Sequence, residues 1–258
     1  MRPFVFLALT FALAAPFWAA GALVKTELMP GLPVAGLMFI CPGVAALLLR
    51  RRESGASAAM ALAVRPFDGA RIRRWIWFAP ILLIQPAITV IAWMSMRLAG
   101  APVPEPRISL ALAISLCLVF FIAAAGEEIG WSGYATQPLE ARAGALGAAL
   151  ILGAAWAMFH YPALIEAHRS LGWIAGWTLW TFALRIIIVW LFDNTGGSVM
   201  AAALHHMTVN LAWQLFPERG SYFDPAVQGA MTALVALVVI ALWGPRTLAT
   251  PLAWRRRG

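Results

Sequence analysis

The chain has 258 residues, of which 62% are hydrophobic and 12% charged, with a formal net charge of +8. A water-soluble domain of this size carries roughly 25% charged residues, so this composition excludes one. The excess of arginine does not indicate a nucleic-acid partner, because the arginines gather in short breaks between apolar runs, where membrane topology uses them.

Apolar runs long enough for a bilayer, which needs about 20 residues, recur along the whole chain. In lipid every backbone N–H and C=O must be satisfied internally, so the choice is helices or a closed barrel. Barrel strands alternate polar and apolar residues over about 10 positions. These runs are instead continuous and rich in Ala and Leu, which predicts helices. About eight spans are expected, at 4–24, 30–49, 75–96, 108–126, 146–165, 172–192, 198–215 and 226–244. The expected fold is an all-α polytopic membrane helix bundle, a single domain over 1–258. Ionisable groups in such a bundle face its interior, and the spans that carry them, the candidate core, cover about 108–215.

The first apolar run, from Phe4 to Val24, exceeds the roughly 7–15-residue core of a signal peptide and reads as an uncleaved span. Cys41 and Cys117 sit inside apolar runs, form no CxxC pair and read as small buried hydrophobes.

Basic residues give an orientation. Alternating spans put Arg2, Arg50, Arg51, Arg52, Arg65, Arg71, Arg73, Arg74, Arg142, Arg246, Arg255, Arg256 and Arg257 on one side. Lys25, Arg97, Arg107, Arg169 and Arg219 fall on the other. The richer side is the cytoplasmic one, so both termini face the cytoplasm of a bacterial plasma membrane. Segment 50–74 is then the main cytoplasmic loop, with 58–64 lying along the membrane surface.

Ionisable groups inside spans are costly and mark functional positions. Glu127 and Glu128 are adjacent at the end of the fourth span, as a general base, a metal ligand or a pair of headgroup-level carboxylates. His160 follows Trp156 by one turn on the same helix face, and Pro162 makes the helix bend or stop just beyond. His206 and Asn210 are four apart and project from one face of the seventh span, while His205 points about 100° away as a supporting group or a bystander. Arg185 is mid-span; it either snorkels to the headgroups or pairs with a buried carboxylate. Carboxylate and imidazole can activate water, and imidazole and amide can stabilise an oxyanion, so these groups form a hydrolytic set. Their depths agree if the fifth span starts near 150, with 131–145 partly interfacial.

Residues 127–134, EEIGWSGY, resemble the EExxxR motif of the CPBP family. This family comprises the CAAX-protease and bacteriocin-processing (Abi) membrane proteins and includes the CAAX prenyl endopeptidases. Trp156 to His160 resembles its FxxxH motif, with Trp for Phe, and His206 to Asn210 its HxxxN motif. The resemblance covers about 121–213 and implies an intramembrane endopeptidase of metallo- or glutamate type, acting near the cytoplasmic leaflet on a peptide or membrane-protein substrate. It implies that Glu127 and His160 activate water, that His206 and Asn210 polarise the carbonyl, and that Glu128 takes part. Zinc on Glu127, His160 and His206 and a metal-free site are both compatible with it. Ser132 stands where the motif has arginine. That departure leaves Arg185 as the candidate partner for Glu128. It also leaves open a catalytically weak member acting as a bacteriocin-immunity or membrane scaffold protein. A transporter would need a polar route across the whole bilayer, and the candidate residues cover only part of that depth.

Overall fold

The computed structural model describes residues 1–24, 26–29, 32–220 and 222–249. Lys25, Arg255, Arg256 and Arg257, used in the orientation above, lie outside the described residues. The fold is an all-α membrane bundle. Its helices are α1 (Pro3–Leu23), α2 (Cys41–Ser54), α3 (Ala56–Ala63), α4 (Phe78–Leu98), α5 (Leu110–Gly130), α6 (Gln137–Glu166), α7 (Leu171–Asn194), α8 (Val199–Leu215) and α9 (Pro225–Trp243). The strands β1 (Glu27–Met29) and β2 (Leu32–Pro33) form a small antiparallel pair between α1 and the 3-10 turn Val34–Ile40 that leads into α2.

Six helical stretches are long and apolar enough to cross a bilayer. One of them, Leu110–Glu166, is 57 residues long and contains both the fourth and the fifth predicted spans. Those two spans are joined without a loop: a π-helical turn, Trp131–Thr136, carries α5 into α6, and Gly144 (φ 71°, ψ 172°) breaks the helix before the membrane-crossing part of α6 begins. Only glycine adopts that backbone readily. The sharp change of direction therefore falls at Gly144, at the end of the 131–145 segment expected to lie partly at the interface. The seventh predicted span is α8, with 17 residues, about 26 Å long. Residues 58–63 of the expected 58–64 surface segment fall within α3, which is largely exposed with Leu62 buried.

The central element is α7. Of its most apolar stretch 67% is buried, against 22% for α1. Large apolar side chains on the outer faces, such as Leu83, Leu118 and Leu237, are exposed. In water such a surface would aggregate; in a bilayer it is the lipid contact. Where helices meet, small residues bring backbones together. A β-carbon on Gly43 would lie 2.5 Å from the Gly126 carbonyl oxygen, and one on Gly130 2.5 Å from that of Pro42. This approach seats the end of α5, with its two glutamates, directly against α2.

The loop between α3 and α4 is anchored rather than free. Asp68 accepts hydrogen bonds from the Ser198 hydroxyl (2.7 Å) and from the backbone N–H groups of Val199 (3.3 Å) and Met200 (3.1 Å) at the start of α8. A carboxylate there satisfies orphan N–H groups and complements the helix dipole. Arg65 donates to the carbonyls of Gly197 and Gly133, and Arg71 to that of Gly196. This one segment therefore ties the start of α8 to the π-turn.

Candidate active site

Helix periodicity explains the local pairs. Ser132 and Trp131 each lie one turn beyond a glutamate of α5, and each bonds it: Ser132 Oγ donates to Glu128 Oε2, and Trp131 Nε1 to Glu127 Oε2 at 3.2 Å. His160 Nδ1 faces the Trp156 carbonyl one turn earlier at 2.8 Å. A carbonyl can only accept, so Nδ1 carries the proton and Nε2 is left as the basic nitrogen.

Tertiary packing brings these pairs together. Trp156 Nε1 donates to Glu127 Oε2 at 2.8 Å. Arg185 reaches Glu128 with both terminal nitrogens, at 3.0 and 3.1 Å, and both residues are wholly buried. The pairing expected from the sequence is formed, and the snorkelling alternative is not. His206 Nδ1 adds a 3.1 Å contact to Glu128 Oε1. Trp156 is the hub of the cluster. Its ring lies 4.4 Å beneath the Arg185 guanidinium and 4.9 Å, edge on, from the His206 ring.

Glu127, Trp156, His160, His206 and Asn210 all line one cavity of about 320 Å³, walled otherwise by apolar and aromatic side chains such as Phe120, Trp177, Trp180 and Trp213. Two candidates are not on that wall. Glu128 sits behind it, with its oxygens taken by Arg185, His206 and Ser132. Its place is therefore to orient His206, not to meet substrate. His205 turns toward α4, where Nδ1 contacts the Ile81 carbonyl at 3.1 Å, because one residue of helix rotates it about 100° from His206. Trp131 and Asp68 were not singled out in the sequence. The usable signals were the i, i+4 spacing of Trp131 from Glu127 and the position of Asp68 between two arginines, directly before a glycine.

A zinc site would need three or four ligands from this set. Both imidazoles hold Nδ1 against an acceptor, which leaves each Nε2 as a metal ligand would require. Among the described residues, however, no three His, Cys, Asp or Glu side chains converge as a metal site. Glu127 Oε2 is already engaged by two indoles, and Glu128 by a guanidinium. The residues as folded do not fit the ion.

Residues 109–212 match the family described as Type II CAAX prenyl endopeptidase Rce1-like. This segment of the chain resembles the CAAX-protease (CPBP) family. The chain is also similar to CAAX prenyl protease 2 of Methanococcus maripaludis, at 23% identity over 148 residues, covering 52% of this chain and 55% of that protein. The similarity thus spans about half the length of the curated relative. The CAAX-protease match covers the site: α5, the π-turn, α6, α7 and nearly all of α8 lie within it.

Proposed function

We propose that this chain is an intramembrane endopeptidase of the glutamate type. Glu127 and His160 activate a water that attacks a peptide carbonyl, and His206 and Asn210 polarise that carbonyl. The observation carrying this reading is that these four side chains, drawn from three helices, line one largely apolar cavity. Glu127 Oε1 accepts no hydrogen bond from the described residues, while Oε2 is fixed by two indole N–H groups, so the carboxylate is oriented with one oxygen left for water. As water attacks, Glu127 takes its proton and hydroxide adds to the carbonyl carbon. The oxyanion is met by the Asn210 amide and by the His206 ring, which Glu128 holds in place at Nδ1. Breakage of the C–N bond then delivers the proton to the leaving amine. No step is routed through a metal.

A second reading is a binding or scaffold protein that keeps the pocket without chemistry. Ser132 in the arginine position favours it, and Arg185 on Glu128 opposes it. Peptide cleavage by purified protein in detergent separates the two. The Glu127→Gln variant is expected to lose cleavage and keep its thermal unfolding profile, because Glu127 takes part in no ion pair among the described residues. Cleavage at the wild-type rate by that variant overturns the mechanism.

A further inference from the structure

The end of the bundle where α5 turns into α6 carries a second cavity, of about 610 Å³, that none of the four site residues lines. Its polar wall is Arg50 of α2, Arg65, Asp68 and Arg71 of the α3–α4 connection, Tyr134 of the π-turn and Gln137 at the start of α6. Its apolar wall is Ala58, Ala61 and Leu62 of α3, continued by Val64 and Phe67. The connection from α2 to α4 joins two helices long and apolar enough to cross the bilayer, so the cavity lies at a membrane face.

Among the lining side chains, three guanidinium groups face one carboxylate, which leaves two positive charges unbalanced. That carboxylate is already engaged. Asp68 meets Arg65 at 3.3 Å and Arg71 at 3.4 Å, besides holding Ser198 and the start of α8. Glu53 does not line the cavity, and it accepts from the Tyr134 hydroxyl at 2.9 Å. Arg65 directs its nitrogens to Asp68 and to the carbonyls of Gly133 and Gly197, so it supplies charge but no spare donor. Arg71 gives Nε to Asp68 and Nη1 to the Gly196 carbonyl, which leaves Nη2 without a partner among the described residues. Arg50, half-buried at the end of α2, has no hydrogen bond or ion pair among the described residues.

An arginine at a membrane face ordinarily just extends its charge into the headgroup layer. Here two arginines with unused N–H groups, and a third already seated, line one hollow beside an apolar wall. We propose that this cavity binds the phosphate headgroup of an anionic phospholipid, with Arg50 and Arg71 donating to the phosphate oxygens and an acyl chain lying against Val64 and Phe67. The guanidinium fork matches phosphate oxygens, and basic pockets between membrane helices are where such headgroups are held. Phe67 carries the apolar wall outward: it is 76% exposed, and its ring lies 6.0 Å from Phe121 of α5, one turn from the exposed Leu118. A free anion would use the arginines and leave Val64 and Phe67 uncovered, so the lipid is the better occupant. Headgroups line both faces of a bilayer, so the ligand is available at this end in either orientation of the chain.

The lipid cavity and the candidate active site share supporting residues. Arg65 and Asp68 wall the cavity and also tie Gly133 of the π-turn to Gly197 and to the start of α8, which carries His206 and Asn210. A headgroup seated between Arg50 and Arg71 braces α2 against that clamp. A ligand that binds only the folded chain stabilises it by mass action, so occupancy registers in the unfolding of the whole protein.

The test is thermal unfolding of the purified full chain in a neutral detergent, titrated with phosphatidylglycerol or with phosphatidylcholine. Phosphatidylglycerol is expected to raise the unfolding midpoint in a saturable way, and phosphatidylcholine at the same concentration is not. Arg50→Gln should weaken the apparent affinity about tenfold, the size of one charge-assisted hydrogen bond. Arg52→Gln removes the same charge two residues further along α2, off the cavity wall, and should change the affinity by less than about twofold. Equal losses in the two variants would show diffuse attraction to a basic surface and overturn the site, as would an equal shift with phosphatidylcholine. An equal shift with inorganic phosphate at the same concentration overturns the lipid as the occupant. These readouts do not involve peptide cleavage, so they stand or fall apart from the endopeptidase mechanism.

Discussion

Arg185 of α7 holds Glu128 of α5 through two hydrogen bonds, 3.0 and 3.1 Å long, with neither side chain touching solvent. The family motif places an arginine one turn after this glutamate; here Ser132 occupies that position and the charge arrives from another helix. A bidentate guanidinium–carboxylate contact is among the strongest polar pairings, and burial removes the screening that weakens surface pairs.

Breaking that pair from one side is predicted to be severe. Arg185→Met or Glu128→Leu alone leaves an uncompensated buried charge and should destabilise the protein by about 3–5 kcal/mol. The double variant removes both charges and should recover most of that loss, because a buried ion pair often contributes little beyond an apolar pair of similar size. Unfolding in mild detergent, compared across the four proteins, measures the coupling. A double variant no more stable than the worse single one contradicts the pairing.

Trp156→Phe restores the aromatic residue of the family's FxxxH motif while deleting the N–H that fixes Glu127. The ring over Arg185 and beside His206 is kept, so the fold should persist. Peptide cleavage should fall about 10- to 100-fold, within the range that a positioned acid–base group contributes. The change should appear in kcat more than in KM, since the indole orients the base rather than holding substrate. An unchanged kcat would mean that Trp131 orients Glu127 by itself.

Asp68→Ala should loosen α8 where it begins. It removes the acceptor for Ser198 and for two backbone N–H groups, for which a loss of about 1–2 kcal/mol is expected. Because α8 carries His206 and Asn210, cleavage should fall more steeply with temperature than in the wild type. Glu105→Ala, whose carboxylate pairs with Arg97 at the other end of the bundle, is the control, as an exposed pair contributes little.

Purified protein is predicted to carry no stoichiometric zinc, and cleavage should survive prolonged treatment with a strong chelator. Elemental analysis decides this. One equivalent of zinc, lost in His206→Ala, would show that the cavity rearranges around an ion in a way the present side-chain positions do not anticipate.

The sequence by itself determined the solvent and the local geometry. Continuous apolar runs dictate helices in lipid because no other open structure satisfies its own backbone there. The 3.6-residue repeat then fixes which neighbours share a face: Glu128 with Ser132, Glu127 with Trp131, Trp156 with His160, His206 with Asn210. It also separates His205 from His206. The positions of the polar groups were legible for the same reason, since ionisable residues in such runs stand out against their background.

The tertiary structure decided what each group does. Whether Arg185 snorkels or pairs depends on whether α7 is peripheral or central, and nothing in a 24-residue apolar stretch says which. The contacts of Trp156 with Glu127, of His206 with Glu128 and of Asp68 with α8 join residues 29, 78 and 130 or more positions apart. The π-turn and the break at Gly144 set the depth of His160 against that of Glu127, a relation that span boundaries read from hydropathy left inconsistent. Lipid makes the outside of every helix alike, so helical pattern shows that a residue is buried in the membrane, while only the packing of small residues and ion pairs shows which neighbour it meets.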